Sequence, residues 1–124
     1  DTQGFGEVEV DGTIARLKEI GYLNDANFAK EFVASRLRTK PVSRRKLSDQ
    51  LYQHKLSTAI IEDALSVVTD ETELENAAKV AEKFRERFSE LSIEERNERI
   101  VRRLVSRGYD YEIIRQCLTV PEHE

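Results

Sequence analysis

Few residues in this chain of 124 could take part in covalent or acid–base chemistry, and their settings argue against it. Cys117 is the only cysteine, so no internal disulfide can form. It sits among Ile113, Ile114 and Leu118 at a helix-facing position, which predicts an inert buried thiol and not a nucleophile. Of the two histidines, His123 lies in a polar tail, and His54 lies near a helix end beside Lys55, a solvent-facing position. No Cys/His spacing suits zinc, no acidic loop has calcium spacing, and Gly4-Phe5-Gly6 is too short and wrongly placed for a phosphate loop. The carboxylates fall mostly on exposed helix faces. The expectation is a protein that is not an enzyme and holds no cofactor and no metal.

Positive charge is the chemistry that remains. Arg36, Arg38, Lys40, Arg44, Arg45 and Lys46 occupy a stretch without a single acid. Glu62, Asp63, Asp70, Glu71, Glu73 and Glu75 then form a stretch without a base. A second basic set, Arg96, Arg99, Arg102, Arg103 and Arg107, follows. Arg99, Arg103 and Arg107 are spaced by four, so they project from one helix face while Ile100 and Leu104 point the other way. The first set predicts a binding patch for phosphate or for an acidic protein surface, between which charge alone does not choose. For the second, a solvated face with pairs such as Glu95 and Arg99 competes with a binding role. Phe28, Phe32, Phe84 and Phe88 are not interleaved with the arginines as a base-stacking platform would require, and read as core. With a net charge of -4, the chain does not read as a strong independent nucleic-acid binder.

These charges must be positioned by helices. Hydrophobic residues make up 39% and charged residues 35%, with scarce Gly, Pro and aromatics, which favours amphipathic helices over short strands. The tract Lys46 to Leu65 can be laid on Arg99 to Leu118, 53 residues further on. Leu47, Leu51, Leu56, Ile60, Ile61 and Leu65 then fall on Ile100, Leu104, Tyr109, Ile113, Ile114 and Leu118, and Ala64 on Cys117. A repeat of this length predicts stacked helical units and a long surface. Asp49 and Gln50 in one copy become Arg102 and Arg103 in the other, so the partner is sought at such unmatched positions.

A first helix is expected over Glu7 to Ile20, with Gly21 as its stop and Asn24 or Asp25 capping the next, which runs from Ala26 to Arg38. The latter buries Phe28, Ala29, Phe32, Val33 and Leu37, and Pro41 ends it. Ser43 caps a helix to His54, and Ser57 caps one to Val68. Asp70 with Glu73 opens a helix to Phe88, with Leu74, Ala77, Ala78, Ala81, Phe84 and Phe88 as its stripe. Ser92 with Glu95 is a capping box for a helix to Arg107, carrying Ile100, Val101, Leu104 and Val105. Gly108 ends it, Asp110 caps a last helix through Leu118, and Pro121 closes the pattern. The expected fold is all-α, tandem three-helix repeats in an elongated, curved helical array.

The expected divisions are 1–20, the last helix of an otherwise missing first repeat, 21–69 and 70–120, two complete repeats, and 121–124, a tail. The remnant is inferred because Gly4-Phe5, Val10, Thr13 and Ile14 match Gly108-Tyr109, Ile114, Cys117 and Leu118, and because the chain begins without methionine. No long apolar run and no signal pattern is present, so no membrane association is expected and a cytoplasmic setting fits.

The stretch Leu17-Lys18-Glu19-Ile20-Gly21-Tyr22-Leu23-Asn24-Asp25, followed by Phe28-Ala29 and Arg36-Leu37-Arg38, resembles the RecX family of recombination regulators. So do the helices carrying Leu47 and Leu51 and then Ile60-Ile61 and Ala64-Leu65, and the closing unit with Ala77-Ala78, Arg107-Gly108-Tyr109 and Ile113-Ile114. Two positions depart from the family pattern: Lys40-Pro41 lacks the glycine that often precedes the proline, and Lys55 stands where a glycine often ends the middle helix. The resemblance implies a cytoplasmic protein acting in homologous recombination and DNA repair, and a monomer is expected. Its partner would be the RecA recombinase filament on single-stranded DNA, whose ATP hydrolysis and strand exchange it restrains. Charge geometry nominates Arg36, Arg38, Lys40, Arg44, Arg45 and Lys46 as one contact patch and Arg99, Arg103 and Arg107 as another. A stand-alone nucleic-acid-binding helical module and a helical protein-interaction adaptor remain the alternatives.

Overall fold

Five of the helices in this chain start where an oxygen-bearing side chain stands on extended backbone. Ser43, Ser57, Thr69, Ser92 and Asp110 accept from the backbone N–H groups of Lys46, Ile60, Thr72, Glu95 and Ile113, two or three residues into the helix each one opens. The computed structural model describes the backbone of residues 2–118 and the side chains of residue 13 and residues 15–118. Among these the elements are α1 (Thr2–Thr39), α2 (Arg44–Gln53), α3 (Thr58–Leu65), α4 (Asp70–Arg87), α5 (Ile93–Ser106) and α6 (Tyr111–Cys117), with no strand. None of these helices is long and apolar enough to cross a membrane.

Two expectations about helix ends are corrected. Gly21 does not stop a helix, and neither Asn24 nor Asp25 caps one, because α1 runs unbroken from Thr2 to Thr39. A glycine in a helix interior costs only about 1 kcal/mol relative to alanine. A break would leave several backbone groups unpaired, and residues 15–25 are all exposed, with no element packed there to stabilise one. At α4 the cap is Thr69 and not Asp70, and Glu73 does not complete a capping box. The Glu73 carboxylate is buried and accepts the backbone N–H of Arg44, 2.6 Å away, at the start of α2. The positive end of that helix is a better partner for a buried carboxylate than its own cap. The side chains assigned to an upstream copy, Phe5, Val10 and Ile14, lie outside the described residues, as do Pro121 and His123.

Two separate cores result. The C-terminal half of α1 packs on α3, and α3 on α2, around Ala29, Val33, Leu47, Leu51, Ile60, Ile61, Ala64 and Val68. Helices α4, α5 and α6 pack on one another around Ala77, Val80, Ala81, Phe84, Ile100, Leu104, Tyr109, Ile114 and Cys117. Burial raises the Cys117 thiol above its ordinary pKa, against a smaller opposing pull from Arg85, in keeping with an inert core position. The apolar stripes need three corrections. Ala78 is exposed and Val80 is buried, because α4 packs on both α5 and α6 and needs a broader buried face than one stripe. Val105 is 58% exposed, and Phe28 is 43% exposed.

The copies share a backbone requirement that their side chains meet differently. Lys55 (φ 61°) and Gly108 (φ 90°) stand 53 residues apart and both leave their middle helix in the left-handed region. A lysine there carries strain of about 1 kcal/mol that a glycine does not. Gly108 is held to glycine twice over, since an added Cβ would clash with Ser43 Oγ and lie 3.0 Å from Lys46 Cβ. Lys55→Gly is expected to raise the thermal midpoint or leave it unchanged, whereas Gly108→Ala should cost ~2–3 kcal/mol through backbone strain and displacement of the Ser43 cap. Thermal unfolding followed by circular dichroism checks both, and equal effects of the two changes would contradict the shared backbone requirement.

Candidate functional site

The two three-helix units meet through polar contacts at the start of α2. The Ser43 N–H donates to the Arg107 carbonyl at 2.8 Å, Lys46 Nζ to the Ser106 carbonyl at 2.6 Å, and an Arg107 guanidinium nitrogen to the Pro41 carbonyl at 2.9 Å. On the same helix start, the Arg44 guanidinium donates to the Val68 carbonyl at 2.7 Å and to Asp70 at 2.8 Å. Tyr109 closes the seam from inside the second core. Burial, with the Glu73 carboxylate nearby, pushes its phenol well above the ordinary tyrosine pKa, so it is protonated and neutral.

Beside this seam lies a cleft of about 320 Å³ whose walls come from both units. Arg36 and Lys40 of α1 and its following turn, Lys46 of α2, Lys83 and Arg87 of α4, and Arg103 and Arg107 at the end of α5 line it. Among the described residues, no carboxylate does. Val42, Gln50, Phe84 and Ser106 complete the lining, and Gln50 Oε1 is buried there without a hydrogen-bond partner.

What holds these cations matters as much as where they are. Lys46 and Arg107 bond to neutral backbone carbonyls. The guanidinium groups of Arg103 and Arg107 lie 5.0 and 5.8 Å from the Phe84 ring centroid, and that of Arg36 lies 5.1 Å from the Phe32 centroid. A carbonyl or a ring face orients a cation without cancelling its charge, unlike a carboxylate. The cleft therefore keeps a concentrated positive field on a chain whose net charge is negative.

Of the nine residues nominated from sequence, Arg36, Lys40, Lys46, Arg103 and Arg107 line the cleft, and four do not. Arg44 is engaged with Asp70 and Val68, Arg45 faces shallower hollows beside Asp49 and Glu62, Arg38 is exposed outside the cleft, and Arg99 lies over Phe88 at 5.5 Å. The anticipated Glu95–Arg99 pair does not form, and the pair that does is Glu98–Arg102 at 2.7 Å. Sequence reasoning missed Lys83 and Arg87. They flank Phe84 and stand four apart on α4, a spacing that marks one helix face, but the neighbouring Glu82 and Glu86 mask it in a linear charge profile.

Residues 24–65 match the second three-helix domain of RecX and residues 71–118 match the third. The chain belongs to the RecX family. The regulatory protein RecX of Chlorobium phaeobacteroides (strain BS1) is 31% identical over 116 residues, covering 92% of this chain and 73% of that protein. The regulatory protein RecX of Prosthecochloris aestuarii (strain DSM 271 / SK 413) is 32% identical over 115 residues, covering 93% and 74%. Against the regulatory protein RecX of Leuconostoc citreum (strain KM20), 30% identical, the chain spans 37% of the relative's length. The crystal structure of RecX from Lactobacillus salivarius is similar with a TM-score of 0.69 at 28% identity, over 84% of this chain and 68% of that one. A second crystal structure of a regulatory protein RecX, 22% identical with a TM-score of 0.64, shares the fold.

Within this RecX-family chain, seam residues and cleft residues should separate by stability. Glu73→Ala leaves the Arg44 amide and a buried site unpartnered and is expected to cost ~1–3 kcal/mol. Arg103→Ala removes one exposed cation–π contact and should cost less than about 1 kcal/mol. Chemical denaturation of the two variants decides the matter: comparable losses would mean that Arg103 is chiefly structural.

Proposed function

We propose that this chain regulates the RecA recombinase by lodging its basic cleft against the filament that RecA forms on single-stranded DNA, restraining ATP hydrolysis and strand exchange. The reading rests on one observation above the family membership: seven cations from both units converge on a single cleft with no acid among its described lining residues. A convergent field of this kind suits the phosphates of a strand held in a filament or an acidic face of the protein around it. Contacts from two linked units add as avidity, so each can be weak. The protein acts as a cytoplasmic monomer, and residues 1–20 continue a helical array of which 21–69 and 70–120 are successive repeats. Its action is to bind and restrain, without catalysis of its own.

The same cleft supports a second reading, a module that binds free DNA without RecA. The two part on salt and partner dependence. Filament ATPase measured at two salt concentrations should fall when the protein is added, and more so at the lower salt. Lys83→Glu combined with Arg103→Glu should abolish inhibition with helicity intact, while Arg45→Glu, outside the cleft, should retain it. Inhibition that survives the double reversal removes the cleft from the mechanism. Tight binding to free DNA with no effect on the filament favours the second reading.

A further inference from the structure

Arg36 belongs to two concavities. It lines the basic cleft, and it also lines a shallow groove of about 380 Å³ on α1 with Phe28, Glu31, Phe32, Ser35 and Thr39. The spacing of these residues places them on one helix face. The groove's aromatic floor is braced from the side. The Phe28 and Phe32 centroids are 5.9 Å apart, and the His54 ring meets them edge-on at 5.0 and 5.5 Å. Phe28 is nonetheless 43% exposed, while Ala29 and Val33 provide the burial that α1 needs on its core side. A large ring held in place yet open to solvent, next to a field of unpaired cations, calls for a ligand that is both flat and anionic.

We propose that this groove is a stacking platform for an unpaired nucleobase of a single strand whose phosphates follow the basic cleft, with Arg36 at the junction of the two. The inference rests on the reading of the cleft as a phosphate site and adds where the bases go. Base–aromatic stacking beside a cationic track is how single strands are held without sequence readout. The Arg36 guanidinium, 5.1 Å from the Phe32 centroid, offers a planar cation at the groove's edge. Glu31 and Ser35 on the rim provide acceptors for N–H groups of a base, the N3–H of thymine included. A duplex keeps its bases inside, so the platform selects single strands. An apolar protein side chain could also fill the groove, but it has no use for the contiguous cleft.

The test compares two fluorescent strands of equal length, one of thymidines and one abasic, by anisotropy at about 50 mM salt. The intact protein should bind the thymidine strand about tenfold more tightly. Phe28→Ala and Phe28→Leu should erase that difference without changing abasic affinity, and Phe28→Tyr should keep it. Lys83→Glu with Arg103→Glu should weaken both strands alike. Equal affinity of the intact protein for the two strands overturns the platform and leaves the cleft standing. Full retention of the difference in Phe28→Leu, which keeps apolar bulk but lacks a ring, also overturns it. Failure to bind either strand removes the phosphate reading of the cleft, and the platform with it.

Discussion

The hydrogen bond from the Ser43 amide to the Arg107 carbonyl, with Gly108 pressed against the Ser43 side chain, is the contact on which the rest of this molecule depends. Each three-helix unit has a closed core of its own, and the two cores are distinct clusters. The registration of one unit on the other is therefore carried by a small set of directional polar contacts: Ser43 to Arg107, Lys46 to Ser106, Arg107 to Pro41, and Arg44 to Glu73 and Asp70. Each is modest in net free energy, about 1 kcal/mol. Their value lies in geometry, because hydrogen bonds fix direction where apolar contact does not. Ser43 takes part twice, as the cap of α2 and as the residue that Gly108 must clear, so helix start and seam are one construction.

That construction makes the cleft. With α2 seated on the turn after α5, lysines and arginines from four segments converge, although the chain as a whole is acidic. Converging like charges repel, and the usual remedy is a carboxylate among them. Here the cations are held by backbone carbonyls and by Phe84 and Phe32, which orient without neutralising. The acids sit elsewhere: Asp70 and Glu73 serve the Arg44 side of the seam, and Glu98 serves Arg102. The separation leaves one face with an unspent positive field, the property a polyanion-binding surface requires.

Local chemistry was legible wherever a residue acts through its own neighbours. Ser43, Ser57, Ser92 and Asp110 start helices as their types and spacing imply, and Gly108 ends one in the left-handed region. The matched positions Leu47 and Ile100, Leu51 and Leu104, and Ala64 and Cys117 are all buried, because a repeated apolar register specifies a repeated core. Lys55 was recognisable through the family resemblance as a place where glycine is usual, and its positive φ shows why. Gly21 misled, since a glycine ends a helix only where something else holds the break, and α1 is exposed on all sides there.

The cleft was legible only in part. Basic runs and four-residue spacings identify candidates, but whether a cation is free or committed depends on what lies across a gap in space. Arg44 and Arg103 look alike in sequence; one is engaged by Asp70 from a helix 26 residues away, and the other stands over a phenylalanine and faces the cleft. Lys83 and Arg87 were hidden among Glu82 and Glu86 because a linear charge profile averages over the turn of a helix, whereas the folded helix sends acids and bases to different faces. Phe28 was assigned to the core because its spacing fits α1's apolar stripe, and it lies half-exposed because Ala29 and Val33 take the core side of α1 and leave Phe28 at its edge, met by the His54 ring. The amino-acid sequence by itself determined helices α2 to α6, the caps at Ser43, Ser57, Ser92 and Asp110 and the two repeated cores, all of which follow from interactions between residues near in the chain or in periodic register. The tertiary structure alone decided which charges meet, since that depends on how one unit is set against the other through hydrogen bonds that no sequence periodicity records.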